Sequence, residues 1–267
     1  MTLDHSALVP RIAHLAERAA RAILDVYDSE FAVEHKVDRS PLTAADLASH
    51  QLLVDGLAAL TPGIPVLSEE SAGVPYATRS TWSRYWLVDP LDGTREFVKR
   101  NGEFTVNIAL IEDHEPVLGI VQVPVGGELA AAWRGGGAWI DRPGEKARRV
   151  TTRKRALPIV VAGSRSHASE RETELLARLG HCAKIPLGSS LKFLRVAAAE
   201  ADLYLRLGPT SEWDTAAGQC VLEEAGGAVL DLRGEPLRYN TRESLLNPDF
   251  VAVGDPTADW SGLFSGL

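Results

Sequence analysis

Cysteine is nearly absent: Cys182 and Cys220 are the two in 267 residues. One pair is no disulfide framework, and its spacing builds no zinc knuckle. A reducing cytoplasm is the simplest setting for such a chain. Long apolar runs are missing as well, since no stretch approaches the roughly 20 apolar residues of a membrane span. The first twenty residues carry charge throughout and lack the apolar stretch of a signal peptide. A basic excess is also lacking. Lys and Arg number 28 against 36 Asp and Glu, a net charge of -8. That excludes a broad cationic face for gripping a nucleic-acid duplex, but not a small phosphorylated ligand, because a few local cations override the global sign. No internal repeat or low-complexity tract is evident.

What remains is an ordinary globular composition, 45% apolar and 24% charged, with enough length for one large domain or two joined subdomains. Apolar residues at three- and four-residue steps predict an amphipathic helix over 8–27. Thr43 is a suitable N-cap for a second helix over 44–60, ended by Pro62-Gly63. A short strand over 64–67 then delivers Glu69 and Glu70, and another over 85–88 delivers Asp89. Apolar runs at 105–111, 117–123 and 129–133 suit a sheet, and Gly135-Gly136-Gly137 marks a tight turn. The polar, basic stretch 145–155 is a candidate boundary, dividing an α+β half (1–150) from an α/β half (151–267). Beyond it strands and helices alternate: strand 158–162, helices 169–179 and 191–199, strand 201–205, helix 213–225 and strand 228–230.

The sharpest motif is Asp89-Pro90-Leu91-Asp92-Gly93-Thr94. Asp89 is expected at a strand end, with Pro90 stiffening a tight turn that brings Asp92 to the same side. Two carboxylates that close repel unless a cation lies between them, and magnesium suits oxygen ligands of this kind. Gly93 allows backbone to approach a phosphate, and the Gly93 and Thr94 amides could form an anion-binding nest. A plain surface turn is the competing explanation, because Asp-Gly is a common turn dipeptide. Covalent aspartyl-phosphate chemistry is disfavoured: two residues separate the aspartates, not the single one of haloacid-dehalogenase-type enzymes. Glu69-Glu70 offers a further carboxylate from another loop, against the alternative of plain solvated glutamates. Asp214 opens a helix, where an acid also complements the dipole, and the small residues after it imply close approach of another element. Asp46 has a capping explanation too; its functional one is that it faces the acidic cluster while Thr94 holds the attacking water.

These segments (67–70, 89–94 and 213–218) resemble the inositol monophosphatase superfamily of lithium-sensitive, magnesium-dependent phosphatases. Residues 36–43, 89–111, 188–193 and 242–248 are similar, more narrowly, to its bacterial 3'(2'),5'-bisphosphate nucleotidases of the CysQ type. The resemblance covers nearly the whole chain. It implies a layered αβαβα sandwich of the inositol monophosphatase and fructose-1,6-bisphosphatase type, with the active site between the halves. It implies two or three Mg2+ ions: Glu69, Asp89 and the Leu91 carbonyl for one, Asp89, Asp92 and Asp214 for a second, and Asp46 with Glu69 for a third held through waters. Asp46, Glu69 and Thr94 would be catalytic. Gly93, Thr94, His167, Ser189, Lys192 and Arg206 would bind substrate, the last three as candidates for the 5'-phosphate. The implied reaction removes the 3'-phosphate of adenosine 3',5'-bisphosphate, and that of its sulfated form is a further expectation. Inositol or sugar phosphates are the alternative substrates, and a noncatalytic nucleotide sensor the alternative class. A monomer or homodimer is expected, cytoplasmic or peripheral at the inner membrane surface.

Overall fold

The computed structural model describes residues 3–30, 32–35, 41–165 and 170–264. The first layer follows from amphipathic periodicity. Helix α1 (His5–Tyr27) starts at Asp4, whose carboxylate accepts from the Ala7 amide, and it buries Leu8, Ile12, Leu15, Ala19 and Ile23 along one stripe. Two short strands, β1 (Glu34–His35) and β2 (Pro41–Leu42), pair antiparallel. Helix α2 (Ala44–Leu60) then packs beside α1.

Next come β3 (Val66–Ser68), a 3-10 turn (Glu69–Ser71), α3 (Tyr76–Arg79), β4 (Arg84–Asp92), α4 (Thr94–Val98), β5 (Thr105–Glu112), β6 (Glu115–Gln122), β7 (Leu129–Trp133), β8 (Gly137–Asp141) and β9 (Arg148–Val150). Strands β3 to β9 lie side by side in one seven-stranded sheet. Only β3 and β4 pair parallel; hairpin connections make the rest antiparallel. The second sheet is built from β10 (Ile159–Ser164), α5 (Glu170–Ala177), β11 (Cys182–Leu187), α6 (Leu191–Ala197), β12 (Leu203–Arg206), α7 (Glu212–Glu224), β13 (Ala228–Asp231) and β14 (Phe250–Val253), followed by α8 (Ser261–Phe264). Its order is β11-β10-β12-β14-β13, with the first three strands parallel.

Three apolar cores fill the four interfaces between five layers, one core spanning two of them. Trp86, Val88, Ile108 and Leu110 pack against α1 and α2. The alternate residues Tyr85, Leu87, Ala109 and Ile111 face the other way, onto a core shared with α6, α7 and the inner face of the second sheet. Ile159, Val161, Leu203 and Val251 form a third core with Leu175 of α5 and Leu263 of α8. This is the expected αβαβα sandwich. Helix α7 lies flush on the first sheet because β6 carries Gly119 at the contact; a Cβ there would sit 2.5 Å from the Ala217 carbonyl oxygen.

Some boundaries differ from expectation. The stretch 145–155 contains β9, which completes the first sheet, so Arg148 and Arg149 are edge-strand side chains. Strand β3 begins at Val66, two residues later than expected. Asp89 does not end its strand: β4 continues through Pro90 and Leu91 to Asp92. Strands β1, β2, β8, β9, β11 and β14 and helices α3, α4 and α8 had no expectation.

Candidate active site

The Asp89–Asp92 geometry comes from a register fault rather than a turn. Asp89 pairs with Asn107 and Asp92 with Thr105, so three steps on β4 oppose two on β5. In a regular strand residues three apart point to opposite faces; this bulge brings both carboxylates to one side. Proline is tolerated there because a bulge frees it from the ladder. Its carbonyl accepts from Ser49 Oγ of α2 at 2.7 Å, and the Asp89 carboxylate accepts the Leu91 amide at 3.0 Å. Gly93 follows with φ +92, a left-handed conformation that heads α4; a Cβ would stand 3.2 Å from the Glu103 carbonyl oxygen and 3.3 Å from Ser189 Cβ.

Two helix starts deliver the remaining acids by the same device. Asp46 and Asp214 are each the N3 residue of a capping box, accepting the N-cap amides of Thr43 (2.7 Å) and Ser211 (2.9 Å). Capping and function therefore coexist in one side chain. Thr94 Oγ1 lies 3.3 Å from Asp46 Oδ1 and from the Leu91 carbonyl oxygen.

Oxygens of Asp89, Asp92 and Asp214 all lie within 4.8 Å of one another. Two unit charges at 4.8 Å repel by about 3.5 kcal/mol at an effective dielectric near 20. Burial first, then the charges of Glu69, Asp92 and Asp214, push the Asp89 carboxyl well above the usual carboxylate range. Asp214 is pushed the same way, by burial and then by Asp92. Glu69 hydrogen-bonds Asp89, and two carboxyls in that contact share a proton or a cation. The donors are all oxygens, the set that suits a hard divalent ion such as Mg2+; neither Cys182 nor Cys220 belongs to it.

Asp92 is oriented by a hydroxyl and amide cradle. Its Oδ2 accepts from Ser189 Oγ (2.6 Å), Ser190 Oγ (2.9 Å) and Asn107 Nδ2 (3.4 Å). Thr105 Oγ1 stands 2.6 Å from Ser189 Oγ. Ser189 therefore serves Asp92 directly, and its φ of +49 turns the chain between β11 and α6. Beside these residues lies an open cleft of about 670 Å3, lined on its far side by Arg165, Lys192, Arg206 and Thr210. Lys192 is buried, not the solvated helix lysine that a plain surface position would give. Its Nζ donates to the Ser189 carbonyl and lies 5.1 Å from the Tyr204 ring centroid. Burial pushes its pKa down to about 8, partly offset by Asp92. Arg206 donates to the Pro209 carbonyl at 3.0 Å.

The structure thus gathers Asp89, Asp92, Asp214 and Glu69 at one point, with Thr94, Asp46 and the Leu91 carbonyl alongside, and puts Gly93, Ser189, Lys192 and Arg206 around the adjoining cleft. His167 and residues 36–40 lie outside the described residues. Sequence reasoning did not single out Asn107, Thr105 or Ser190. Their signal is weak: a polar residue at alternate positions of an otherwise apolar strand, and a second serine after Gly188.

A five-layer sandwich with carboxylates converging from a bulged strand and two helix starts defines a class of acidic-centred αβαβα proteins. The chain belongs to the inositol monophosphatase family, whose model matches residues 7–255. It is similar to the 3'(2'),5'-bisphosphate nucleotidase CysQ of Escherichia coli K12, 49% identical over 91% of this chain and 98% of that protein. The Haemophilus influenzae protein of the same name is 38% identical, covering 96% of each. Among solved structures, CysQ from Bacteroides thetaiotaomicron, a bacterial member of the inositol monophosphatase family, superposes with a TM-score of 0.79 at 40% identity, over 90% of this chain and 94% of that one. An inositol monophosphatase of Thermotoga maritima shares the fold at 24% identity, with a TM-score of 0.76 over 91% of each chain.

Proposed function

We propose that the chain is a Mg2+-dependent 3'(2'),5'-bisphosphate nucleotidase that removes the 3'-phosphate of adenosine 3',5'-bisphosphate to give AMP and phosphate. The carrying observation is the convergence of Asp89, Asp92 and Asp214 within 4.8 Å beside a cleft that also holds Lys192 and Arg206. The names of the similar proteins support the substrate. The sulfated form of the nucleotide, and with it a role in sulfur assimilation, belongs to the same proposal.

Glu69, Asp89, Asp92, Asp214 and the Leu91 carbonyl would hold the cations, two or three in number. Divalent ions in such a centre supply positive charge to the attacking and leaving oxygens of an in-line displacement. The chain's own residues do the rest. Thr94 Oγ1, set by Asp46 and the Leu91 carbonyl, positions the attacking water, with Asp46 or Glu69 as the acceptor of its proton. Gly93 leaves backbone room for the scissile phosphate. Lys192 and Arg206 hold the 5'-phosphate, the group that an inositol monophosphate lacks. His167 is kept as a nucleoside-side candidate. We also keep the division at residue 150, with a C-terminal half contributing Asp214 and the cleft, as part of this proposal.

The test is a phosphate-release panel of phosphorylated nucleotides, sugars and inositols with Mg2+, with EDTA and with added Li+. The adenosine bisphosphate should be preferred, EDTA should stop release, and Li+ should inhibit. Preference for inositol or sugar monophosphates would instead assign the second reading. No release from any member with Mg2+ would point to a noncatalytic sensor.

A further inference from the structure

The segment 239–247 has no place in the chemistry above, yet it wraps the start of α7, two residues before Asp214. Asn240, held at φ +57, is the centre of the wrap. Its backbone N–H donates to both oxygens of Glu212, at 2.8 and 3.0 Å, and its side-chain carbonyl accepts from Arg79 Nη1 at 2.5 Å. Its side-chain amide donates back to the Arg79 carbonyl at 2.6 Å. Arg79, Asn240 and Glu212 are all essentially inaccessible to water, with 1–2% exposure. Asn240 thus joins a buried arginine to a buried glutamate, whose pKa burial pushes up to about 7, through a neutral bridge. At the other end Asn247 donates to the Ser211 carbonyl (2.7 Å) and to Thr215 Oγ1 (3.1 Å), and the Glu212 amide donates to the Leu245 carbonyl.

Arg79 ends the short α3, eight residues after the 3-10 turn that begins with Glu69. The collar therefore ties the segment following Glu69 to the helix start that presents Asp214. We propose that Arg79, Asn240, Glu212 and Asn247 are positioning residues that set Asp214 against Glu69 and Asp89, so that divalent-cation affinity depends on them although none touches the centre. Burying an arginine and a glutamate is costly, the more so as Arg79 Nε finds no hydrogen-bond partner, and a well-packed apolar trio would stabilise the fold as well; fixing a geometry is what the polar version adds. The inference rests on reading the Asp89–Asp214 cluster as a cation site.

The test titrates Mg2+ alone into the full chain by calorimetry and follows melting temperature in parallel. The variants are Arg79→Met, the shape-preserving Glu212→Gln, and a control, Arg153→Met, which breaks a half-buried pair with Asp202 beside the second sheet. The collar variants should weaken Mg2+ affinity by about tenfold or more, as removal of an orienting partner does, and leave KM for the bisphosphate at saturating Mg2+ unchanged. The control should melt lower yet bind Mg2+ like the parent. If Arg79→Met does not fold, Glu212→Gln decides by the same readout. Parental affinity in the collar variants, or equal weakening in the control, overturns the proposal. A parent chain that binds no Mg2+ overturns the cation site itself, a distinct result.

Discussion

Asp89 combines burial with the charges of three neighbouring acids, Glu69, Asp92 and Asp214. It is buried, and the Asp92 and Asp214 carboxylates lie within 4.8 Å, so ionising it without a counterion opposes both desolvation and repulsion. Asp89→Asn should lower turnover by about 10^3-fold or more, the scale of losing a preorganised charge stabiliser, while circular dichroism stays that of the parent. Near-parental rates with Mg2+ would contradict the bridging role. The same charges make stability depend on pH. Because the folded values of Asp89 and Asp214 lie above their unfolded ones, the folded chain holds more protons than the unfolded chain between the two values. Stability from this source is present below the ordinary carboxylate range and is lost as pH rises through the raised values. With EDTA the melting temperature should therefore fall as pH rises above the ordinary carboxylate range, less steeply in Asp89→Asn, and Mg2+ should reverse the fall. Lys192 gives a separate limb. With its pKa pushed down to about 8 by burial, KM for the bisphosphate should rise above that pH. Lys192→Ala should raise KM for the bisphosphate and spare a simple monophosphate; equal effects on both would remove Lys192 from the 5'-phosphate site.

Elements position these residues through features that are only partly visible in sequence. The second helix was legible to the residue, 44–60, because Thr43 caps it and Pro62-Gly63 ends it. The convergence of Asp89 with Asp92 was legible in outcome but not in mechanism. The Asp-Pro pair suggests a turn, and nothing local reveals that β5 supplies a partner strand on which β4 bulges. Strand β14 went unseen because a short, fully buried strand needs no alternation, and it pairs with two strands far away in sequence; β11 went unseen because it is a half-exposed edge strand carrying Lys184 and Pro186. The cradle on Asp92 was illegible for the same reason: Asn107 and Ser190 are 83 apart in the chain and meet only across the sandwich. The small residues after Asp214 did predict a close approach, and Gly119 is its other side. Gly119→Ala should cost about 1–3 kcal/mol in chemical denaturation, as overpacking does, because the Ala217 carbonyl oxygen blocks the new methyl group. An unchanged midpoint would mean that α7 does not bear on β6 as described.

Over the whole molecule, the chain places a strongly acidic point inside an acidic protein and offsets it with a few local cations. The net charge of -8 gives no sign of an anionic substrate; Lys192, Arg206 and Arg165 along one cleft do. Among the described residues no helix is long and apolar enough to cross a membrane. The alternation of strands and helices after residue 158 made a layered α/β second half legible, while the five-layer sandwich followed from the family resemblance. The single packed core shared by α7 and both sheets was not legible, since it depends on which faces meet. That shared core is why Asp214, from late in the chain, reaches acids from its first hundred residues. One measurement bears on this most directly: release of inorganic phosphate from adenosine 3',5'-bisphosphate by the purified parent chain and by Asp214→Asn, each with Mg2+ and with EDTA. The account predicts rapid release only for the parent with Mg2+, with AMP as the other product. Undiminished release by Asp214→Asn, or by the parent in EDTA, would contradict it.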